Sequence, residues 1–253
     1  MYWGVDVGST YTKICAINKN KEIIDTKIIP TIVNQDEIVK EYLKDKQIEM
    51  LVSTGYGRHM IEECFSCPII SEIKAHAKAA FHFDNSADMV IDLGGQDSKV
   101  IKLDLNGGFI DFKMNDKCAA GTGKFLEIAA SRMGLELEKF SKIGFEATKE
   151  LSISSMCAVF AESEVISLIA KKETAANICY AVHESIASRL ASMAKKFAIK
   201  SDNIIFSGGG ALNPFLLQLL SKKLEKNVVA AKYPQLMGAI GSALAGYEVS
   251  NEI

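Results

Sequence analysis

The chain has 253 residues, 48% of them hydrophobic and 24% charged, with a formal net charge of −2. This length suits one large or two modest domains, and the apolar fraction is enough for ordinary hydrophobic cores. The nearly balanced charge provides no basic surface, which argues against nucleic acid or an anionic membrane as the main partner.

The hydropathy pattern predicts a cytoplasmic protein. No apolar run approaches the ~18 residues of a membrane-spanning helix. Met1 leads directly into a strand-like segment, without the pattern of a signal peptide. In a reducing compartment, the six cysteines are expected to be free, catalytic or metal-bound rather than paired in disulfides.

The N-terminal segment has the pattern of a buried strand followed by a β-hairpin. Residues 2–7 are predicted to form the strand, which runs into the turn Gly8-Ser-Thr10. Residues 13–17 and 22–29 are predicted to be the strands of the hairpin.

The same pattern returns 86 residues later, without a gap. The identical pairs are Asp6 and Asp92, Gly8 and Gly94, Lys13 and Lys99, Asn20 and Asn106, Ile24 and Ile110, Asp25 and Asp111, and Lys27 and Lys113. These are seven identities in 24 aligned positions, where chance would give roughly one or two. The sequence therefore predicts an internal duplication with two related lobes, the first formed by 1–87 plus 236–253 and the second by 88–235.

The remaining elements fill in an α/β fold. Helices are predicted at 36–46, 121–133, 159–171, 174–198, 213–224 and 237–249, and strands at 48–53 and 204–207. After these two strands, Ser207 and Gly209 repeat Ser53 and Gly55, which extends the duplication beyond the hairpin.

Two cysteines stand at predicted helix starts. Cys118 precedes the helix at 121–133, and Cys157 follows Ser154 and Ser155, which are plausible capping residues for the next helix. The unpaired N–H groups and the positive dipole end of a helix favour a thiolate, or an anionic thiolate cluster, over a neutral thiol. The alternative is that both are buried cysteines that serve only packing.

A P-loop is rejected for the stretch Gly121-Thr-Gly-Lys124. A Walker motif needs a glycine where Cys118 stands, and it needs Ser or Thr where Phe125 stands. The paired Asp-x-Gly turns, with Gly208, Gly209 and Gly210 downstream, instead suggest a phosphate clamp with a metal. Each turn offers a glycine backbone that can approach a phosphate, and a carboxylate for Mg²⁺ or an attacking water.

These motifs resemble those of the actin, Hsp70 and sugar-kinase superfamily. Asp6-Val-Gly-Ser-Thr10 resembles its first phosphate loop, Asp92-Leu-Gly-Gly-Gln96 its second, and Phe206-Ser-Gly-Gly-Gly-Ala211 its adenosine loop. The resemblance implies a duplicated, ribonuclease H-like two-lobe fold with an ATP cleft between the lobes.

A narrower resemblance covers essentially the whole chain. It lies in the segments Asp92-Leu-Gly-Gly-Gln-Asp-Ser-Lys99, Asn115-Asp-Lys-Cys-Ala-Ala-Gly-Thr-Gly-Lys-Phe125 and Ser155-Met-Cys-Ala-Val-Phe-Ala-Glu-Ser-Glu164. These resemble the ATP-dependent activators of 2-hydroxyacyl-CoA dehydratases, whose relatives serve benzoyl-CoA reductases and double-cubane-cluster proteins. The resemblance implies an ATPase that receives an electron from ferredoxin or flavodoxin and passes it to a dehydratase or reductase component.

The resemblance also implies cofactors and site residues. Cys118 and Cys157 would hold one 4Fe-4S cluster shared across a homodimer, which agrees with the four thiolates of a cubane and two per chain. Asp6 would hold the Mg²⁺ shell, and Asp92 and Gln96 would organise the attacking water. The residues implied to contact the nucleotide are Gly8, Ser9, Thr10, Lys13, Gly94, Gly95, Gly208, Gly209 and Gly210.

Some features stay open at this stage. Cys64 and Cys67 form a C-x-x-C in apolar surroundings with no second pair nearby, which favours packing over a redox or zinc site. His76 has no assigned role, and the sequence does not identify the acceptor protein. The alternatives are a small-molecule kinase of the same fold with structural cysteines, or an assembly protein that uses ATP as a switch and holds no cluster.

Overall fold

The computed structural model describes residues 1–153 and 157–251. Ser154 and Ser155, which were predicted to cap the helix that follows Cys157, lie outside the described residues. The strands are β1 (Tyr2–Val7), β2 (Tyr11–Ile17), β3 (Ile23–Pro30), β4 (Met50–Gly55), β5 (Met89–Leu93), β6 (Ser98–Leu103), β7 (Phe109–Asn115), β8 (Ile204–Ser207) and β9 (Val228–Ala230). The helices are α1 (Gln35–Leu43), α2 (Arg58–Phe65), α3 (Glu72–Phe83), α4 (Gly123–Arg132), α5 (Leu137–Ile143), α6 (Ala158–Ala170), α7 (Ala175–Ala198), α8 (Pro214–Leu224) and α9 (Met237–Asn251).

The chain divides into two compact units. The first comprises Met1–Ser86, Leu103–Ile110 and Gln235–Ile253, and the second comprises Ala87–Lys102 and Asp111–Pro234. The segment Leu103–Ile110 belongs with the first unit here, whereas the sequence-based division counted it in the second lobe.

The first unit is built on a four-stranded sheet of order β3-β2-β1-β4. β1 runs antiparallel to β2 and parallel to β4, and all six of its residues are buried. α9 packs across β1 and β4, and α3 packs on α9. The core of this unit includes Trp3, Val5, Ile14 and Leu51.

The second unit is built on a five-stranded sheet of order β7-β6-β5-β8-β9. Its central strand, β5, is antiparallel to β6 and parallel to β8. The long helix α7 supplies much of the core, with Ile178, Val182, Ile186 and Leu190 buried. Thr174 caps this helix, because its side chain accepts a hydrogen bond from the Asn177 N–H.

The two sheets repeat one strand order, which supports the predicted duplication. In each, a hairpin pairs with the central strand on one side, and a parallel strand pairs with it on the other. The strands and helices predicted from the sequence are all present, with ends that differ by a few residues. α2, α3, α5 and the short strand β9 were not predicted. Within the described residues, no helix combines the length and apolarity needed to cross a membrane.

Candidate functional site

The first Asp-x-Gly turn places a carboxylate and an ammonium together at the end of β1. Asp6 lies opposite Lys13 on β2 and Thr54 on β4. The Nζ of Lys13 lies 3.3 Å from the Oδ2 of Asp6. The other oxygen, Oδ1, is buried and has no hydrogen-bond partner among the described residues. A buried carboxylate oxygen without a donor is costly unless something binds it, and carboxylate oxygens suit Mg²⁺.

The residues after Asp6 form a tight turn beside this pair. The N–H of Gly8 donates to the Tyr11 carbonyl at 3.1 Å. A Cβ at Gly8 would lie 3.0 Å from the Nζ of Lys13, so the missing side chain leaves space at the ammonium. Ser9 is exposed and Thr10 half-buried. The turn therefore offers a hydroxyl-rich loop and a cation, which suits phosphate oxygens.

The second turn has the same pair in a more enclosed setting. The Nζ of Lys99 lies 3.3 Å from the Oδ2 of Asp92 and 2.8 Å from the Oδ2 of Asp97. The Ser207 hydroxyl donates to the Oδ1 of Asp92 at 2.8 Å. Lys99 is only 1% exposed, whereas Gln96 at the turn is exposed. The carboxylate of Asp92 is thus held on both oxygens, and Gln96 is the polar side chain this turn presents to solvent.

One predicted correspondence between the repeats is wrong by one residue. Asp6 lies opposite Thr54, and Asp92 lies opposite Ser207, so Thr54 corresponds to Ser207 and Gly55 to Gly208. Both glycines have a positive φ, +84° and +81°, a backbone conformation that residues with a side chain rarely adopt. The sequence comparison had paired Gly55 with Gly209. Gly209 and Gly210 instead begin the 3-10 helix Gly209–Leu212.

Cys118 lies in a short loop between β7 and α4. It is half-buried and directly precedes the 3-10 turn Ala119–Gly121. The Asn115 Oδ1 accepts from the Cys118 N–H at 3.2 Å, and the Asn115 Nδ2 donates to the Cys118 carbonyl at 2.8 Å. The sequence did not predict a role for Asn115, although Asn115 is the first residue of the family-like segment 115–125.

Cys157 is the N-cap residue of α6 and is exposed. α6 packs against α4 and against the 3-10 turn Ala119–Gly121 that follows Cys118. The elements that begin at the two cysteines are therefore neighbours. The structure agrees with the prediction that Cys157 stands at a helix N-terminus.

Cys118 lies further from the start of α4 than the sequence predicts, because the 3-10 turn Ala119–Gly121 stands between them. α4 begins at Gly123 rather than at 121. Its first N–H groups do not face the cysteine, because Gly123 N–H donates to the Gly94 carbonyl at 2.9 Å and Lys124 N–H donates to the Gly95 carbonyl at 2.8 Å. The start of α4 is thus joined to the second Asp-x-Gly turn. No sequence pattern indicated this long-range contact.

The other cysteines are less suited to hold a metal. Burial raises the pKa of Cys15 to about 12, of Cys67 to about 11 and of Cys179 to about 12. A metal-bound cysteine must give up its proton, which burial in apolar surroundings opposes. Cys67 packs in the core of the first unit, in line with the packing role predicted for the C-x-x-C. Cys64 is half-buried.

Comparisons with known proteins identify the family. The profile of the BadF/BadG/BcrA/BcrD ATPase family matches residues 3–246. The chain belongs to this family. The activator of lactoyl-CoA dehydratase from Anaerotignum propionicum is 37% identical over 257 residues, which cover 98% of both chains.

Solved structures agree in fold. The activator of the 2-hydroxyisocaproyl-CoA dehydratase from Clostridium difficile, with bound ADPNP, matches with a TM-score of 0.91 at 33% identity. The match covers 100% of this chain and 96% of that one. A ROK family glucokinase from Streptomyces griseus shares the fold alone, with a TM-score of 0.62 at 15% identity over 98% of this chain and 99% of that one.

These findings confirm the predicted family and fold class. The chain is an ATP-binding ATPase of the activator family, with the duplicated α/β fold that actin-like and sugar-kinase ATPases share.

Proposed function

We propose that this protein is an ATP-hydrolysing iron–sulfur activator that transfers single low-potential electrons to an acceptor protein. The acceptor is a 2-hydroxyacyl-CoA dehydratase or a related reductase component, and the donor is ferredoxin or flavodoxin. The observation that carries the proposal is the placement of the two cysteines. Cys118 and Cys157 lie at the starts of neighbouring elements, in the unit that carries the Asp92 turn. Cys64 is as half-buried as Cys118 but lies in the other unit.

The cysteine set fits a 4Fe-4S cluster shared by two copies of the chain. A cubane takes four thiolates, and one chain offers two in suitable surroundings. Beside Cys157, α6 exposes three large apolar side chains, Phe160, Ile166 and Ile169. Exposed apolar side chains are typical of a protein–protein contact, so a second copy would cover them and complete the ligand set. The cluster would supply one-electron chemistry.

The nucleotide site of the proposal uses both Asp-x-Gly turns. The unpartnered Oδ1 of Asp6 fits a role in the Mg²⁺ shell. Asp92 and the exposed Gln96 would organise the attacking water. The residues proposed to contact the nucleotide are Gly8, Ser9, Thr10, Lys13, Gly94, Gly95, Gly208, Gly209 and Gly210.

The hydrogen bonds between α4 and the Asp92 turn support coupling of the two sites. A shift of Gly94 and Gly95 during the ATP cycle would move the start of α4, and with it the loop of Cys118. Coupling requires ATP to bind one state of the protein more tightly than the other. We therefore expect iron release to a chelator, or the reduction potential, to differ between ATP-bound and ADP-bound protein.

Iron analysis tests the cluster. Protein purified without oxygen should be brown and contain about four irons per dimer. Cys118→Ser or Cys157→Ser should abolish iron binding, because each removes two of the four ligands from the dimer. The double variant Cys64→Ser with Cys67→Ser is the matched control and should retain iron. A colourless wild-type protein, or loss of iron in the control alone, would refute the proposed cluster.

ATP turnover tests the nucleotide site separately. Asp6→Ala should weaken Mg-ATP binding. Gln96→Ala should slow hydrolysis more than it weakens binding, because a group that orients water acts mainly in the transition state. Unchanged turnover in both variants would remove the proposed site.

A further inference from the structure

Asn115 holds the main chain of Cys118 through both of its polar groups. Its Oδ1 accepts from the cysteine N–H at 3.2 Å, and its Nδ2 donates to the cysteine carbonyl at 2.8 Å. Asn115 is the last residue of β7, so one end of this arrangement is anchored in the sheet. Cys118 is fixed in an extended conformation, with φ −133° and ψ 109°.

The rest of the loop is shaped to keep this contact. A Cβ at Gly121 would lie 3.1 Å from the Asn115 Nδ2, so a side chain there would crowd the amide. On the far side, the Thr122 hydroxyl donates to the Ala119 carbonyl at 2.7 Å, and Thr122 is fully buried. The segment from Asn115 to Thr122 is thus closed at both ends by side-chain hydrogen bonds to the main chain.

Cys157 is placed differently. Its carbonyl accepts from the Ala161 N–H at 2.9 Å, which is the ordinary first bond of α6. α6 itself therefore sets the position of Cys157, whereas Cys118 precedes a 3-10 turn that offers less restraint. The side chain of Asn115 supplies the restraint that a long helix would otherwise provide.

We propose that Asn115 is a positioning residue for Cys118 as an iron ligand. Both of its polar side-chain groups bond to the Cys118 main chain, so it would act by fixing the main chain from which the thiolate projects. The inference rests on the proposed cluster. Residues that orient metal ligands in this way typically contribute 10–100-fold to metal affinity.

Removal of the amide tests the inference. Asn115→Leu keeps the side-chain size and deletes both hydrogen bonds to Cys118. The rate of iron loss to a chelator, measured without oxygen, should rise roughly tenfold or more. The EPR spectrum of the reduced protein should also change, because a ligand that is held less firmly alters the geometry around iron.

Asn177→Leu is the matched control. Asn177 also holds a loop in the same unit, since its Oδ1 accepts from the N–H groups of Thr148 and Lys149 at 2.9 and 3.1 Å. This residue is buried, so its replacement should destabilise the protein at least as much. Iron loss and the EPR spectrum should nevertheless stay close to those of the wild type.

The outcomes separate the inference from the proposed function. Equal chelation rates and spectra for Asn115→Leu and Asn177→Leu, with iron present in the wild type, would overturn the role of Asn115 alone. A wild type without iron would overturn the proposed function and this inference together. If Asn115→Leu does not fold, Asn115→Ser removes the same amide with less bulk and is judged by the same two measurements.

Discussion

The two Asp-x-Gly turns share one backbone arrangement in the two units. Each aspartate lies opposite a lysine seven residues later, with 3.3 Å between Nζ and Oδ2 in both cases. The glycine N–H after each aspartate closes the turn, at 3.1 Å in the first and 3.0 Å in the second. A glycine with a positive φ then stands at the end of the parallel neighbour strand, as the last residue of β4 (Gly55) or directly after β8 (Gly208).

The surroundings of the two carboxylates differ. The Oδ1 of Asp92 accepts from Ser207, whereas the Oδ1 of Asp6 has no hydrogen-bond partner among the described residues. The Thr54 hydroxyl, which corresponds to Ser207, donates to the Ile70 carbonyl instead. The Lys13 side chain is 20% exposed, whereas that of Lys99 is 1% exposed and shared with Asp97.

From this difference we propose that the duplication preserved the turn and divided its tasks between the two copies. The second turn uses its lysine and serine internally, so its ion pair is structural. The first turn keeps a buried carboxylate oxygen without a hydrogen-bond partner among the described residues, and an ammonium that is partly exposed. We interpret the first turn as the one that binds metal and phosphate through side chains, and the second as the one that presents Gln96.

Loss of the buried lysine should have the largest effect on stability. Lys99→Met preserves the length of the side chain and removes the cation that pairs with both Asp92 and Asp97. An uncompensated buried charge typically costs about 3–5 kcal/mol. Urea denaturation of the iron-free protein should show a loss in this range. A change below ~1 kcal/mol would show that the ion pair of Lys99 is not structural.

The shared glycines should give the next largest effect, in both units. Gly208→Ala places a Cβ 2.3 Å from the Leu93 carbonyl oxygen, and Gly55→Ala places one 2.6 Å from the Val7 carbonyl oxygen. The left-handed backbone adds about 1–2 kcal/mol and the crowding about 1–3 kcal/mol, so each variant should lose about 2–5 kcal/mol.

Gly134→Ala is the control for these two variants. Gly134 has a φ of +64° but no atom within 4 Å of the added Cβ. It should therefore lose only the conformational part, about 1–2 kcal/mol. Equal losses in all three variants by thermal unfolding would show that crowding at the two turns contributes nothing.

Local sequence patterns predicted the two turns, but they did not predict correctly which residues of the two units correspond. The repeat of Asp, Gly and Lys at one spacing was enough to predict the strand, the turn and the hairpin in each unit. The identity of Ser53 and Ser207 was misleading, because the strand register pairs Ser207 with Thr54. Both copies keep a hydroxyl at the matching position, Thr54 and Ser207, but the residue type differs, so sequence identity did not reveal the correspondence.

The missed elements have separate physical reasons. α3 carried a visible signal, since Ser71 caps it by accepting from the Lys74 N–H and buried alanines follow at helical spacing. α5 has only seven residues, which is too few for a clear period. The bonds from Gly123 and Lys124 to the Asp92 turn join residues far apart in sequence. No local pattern encodes such a contact, so the link between the two candidate sites appeared only in the structure.

Ser207→Ala should have a smaller effect than the glycine changes. It removes the hydrogen bond from Ser207 to the buried Oδ1 of Asp92, and a hydrogen bond to a charged group typically contributes about 1.5–3 kcal/mol. Thr54→Val, at the matching position, should cost about 1 kcal/mol, because it removes the bond to the Ile70 carbonyl and leaves Asp6 unchanged. ATP turnover should fall in Ser207→Ala and stay near wild type in Thr54→Val. A fall in Thr54→Val alone would contradict this division of tasks.

Lys13→Met should have a small effect on stability and a large effect on nucleotide binding. Water can reach the Asp6 carboxylate once the partly exposed ammonium is gone, so the expected loss is about 1–2 kcal/mol, well below that of Lys99→Met. If Lys13 meets the phosphates, its charge-assisted hydrogen bonds are worth about 1.5–3 kcal/mol, and Mg-ATP affinity should fall roughly 10–100-fold. Titration calorimetry measures the Mg-ATP affinity directly.

Lys27→Met is the matched control, because Lys27 is exposed on β3 of the same sheet and its replacement should leave the affinity unchanged. Equal affinities for Lys13→Met and the control would mean that the ammonium of the first turn plays no part in nucleotide binding, and the two turns would then differ in exposure but not in task.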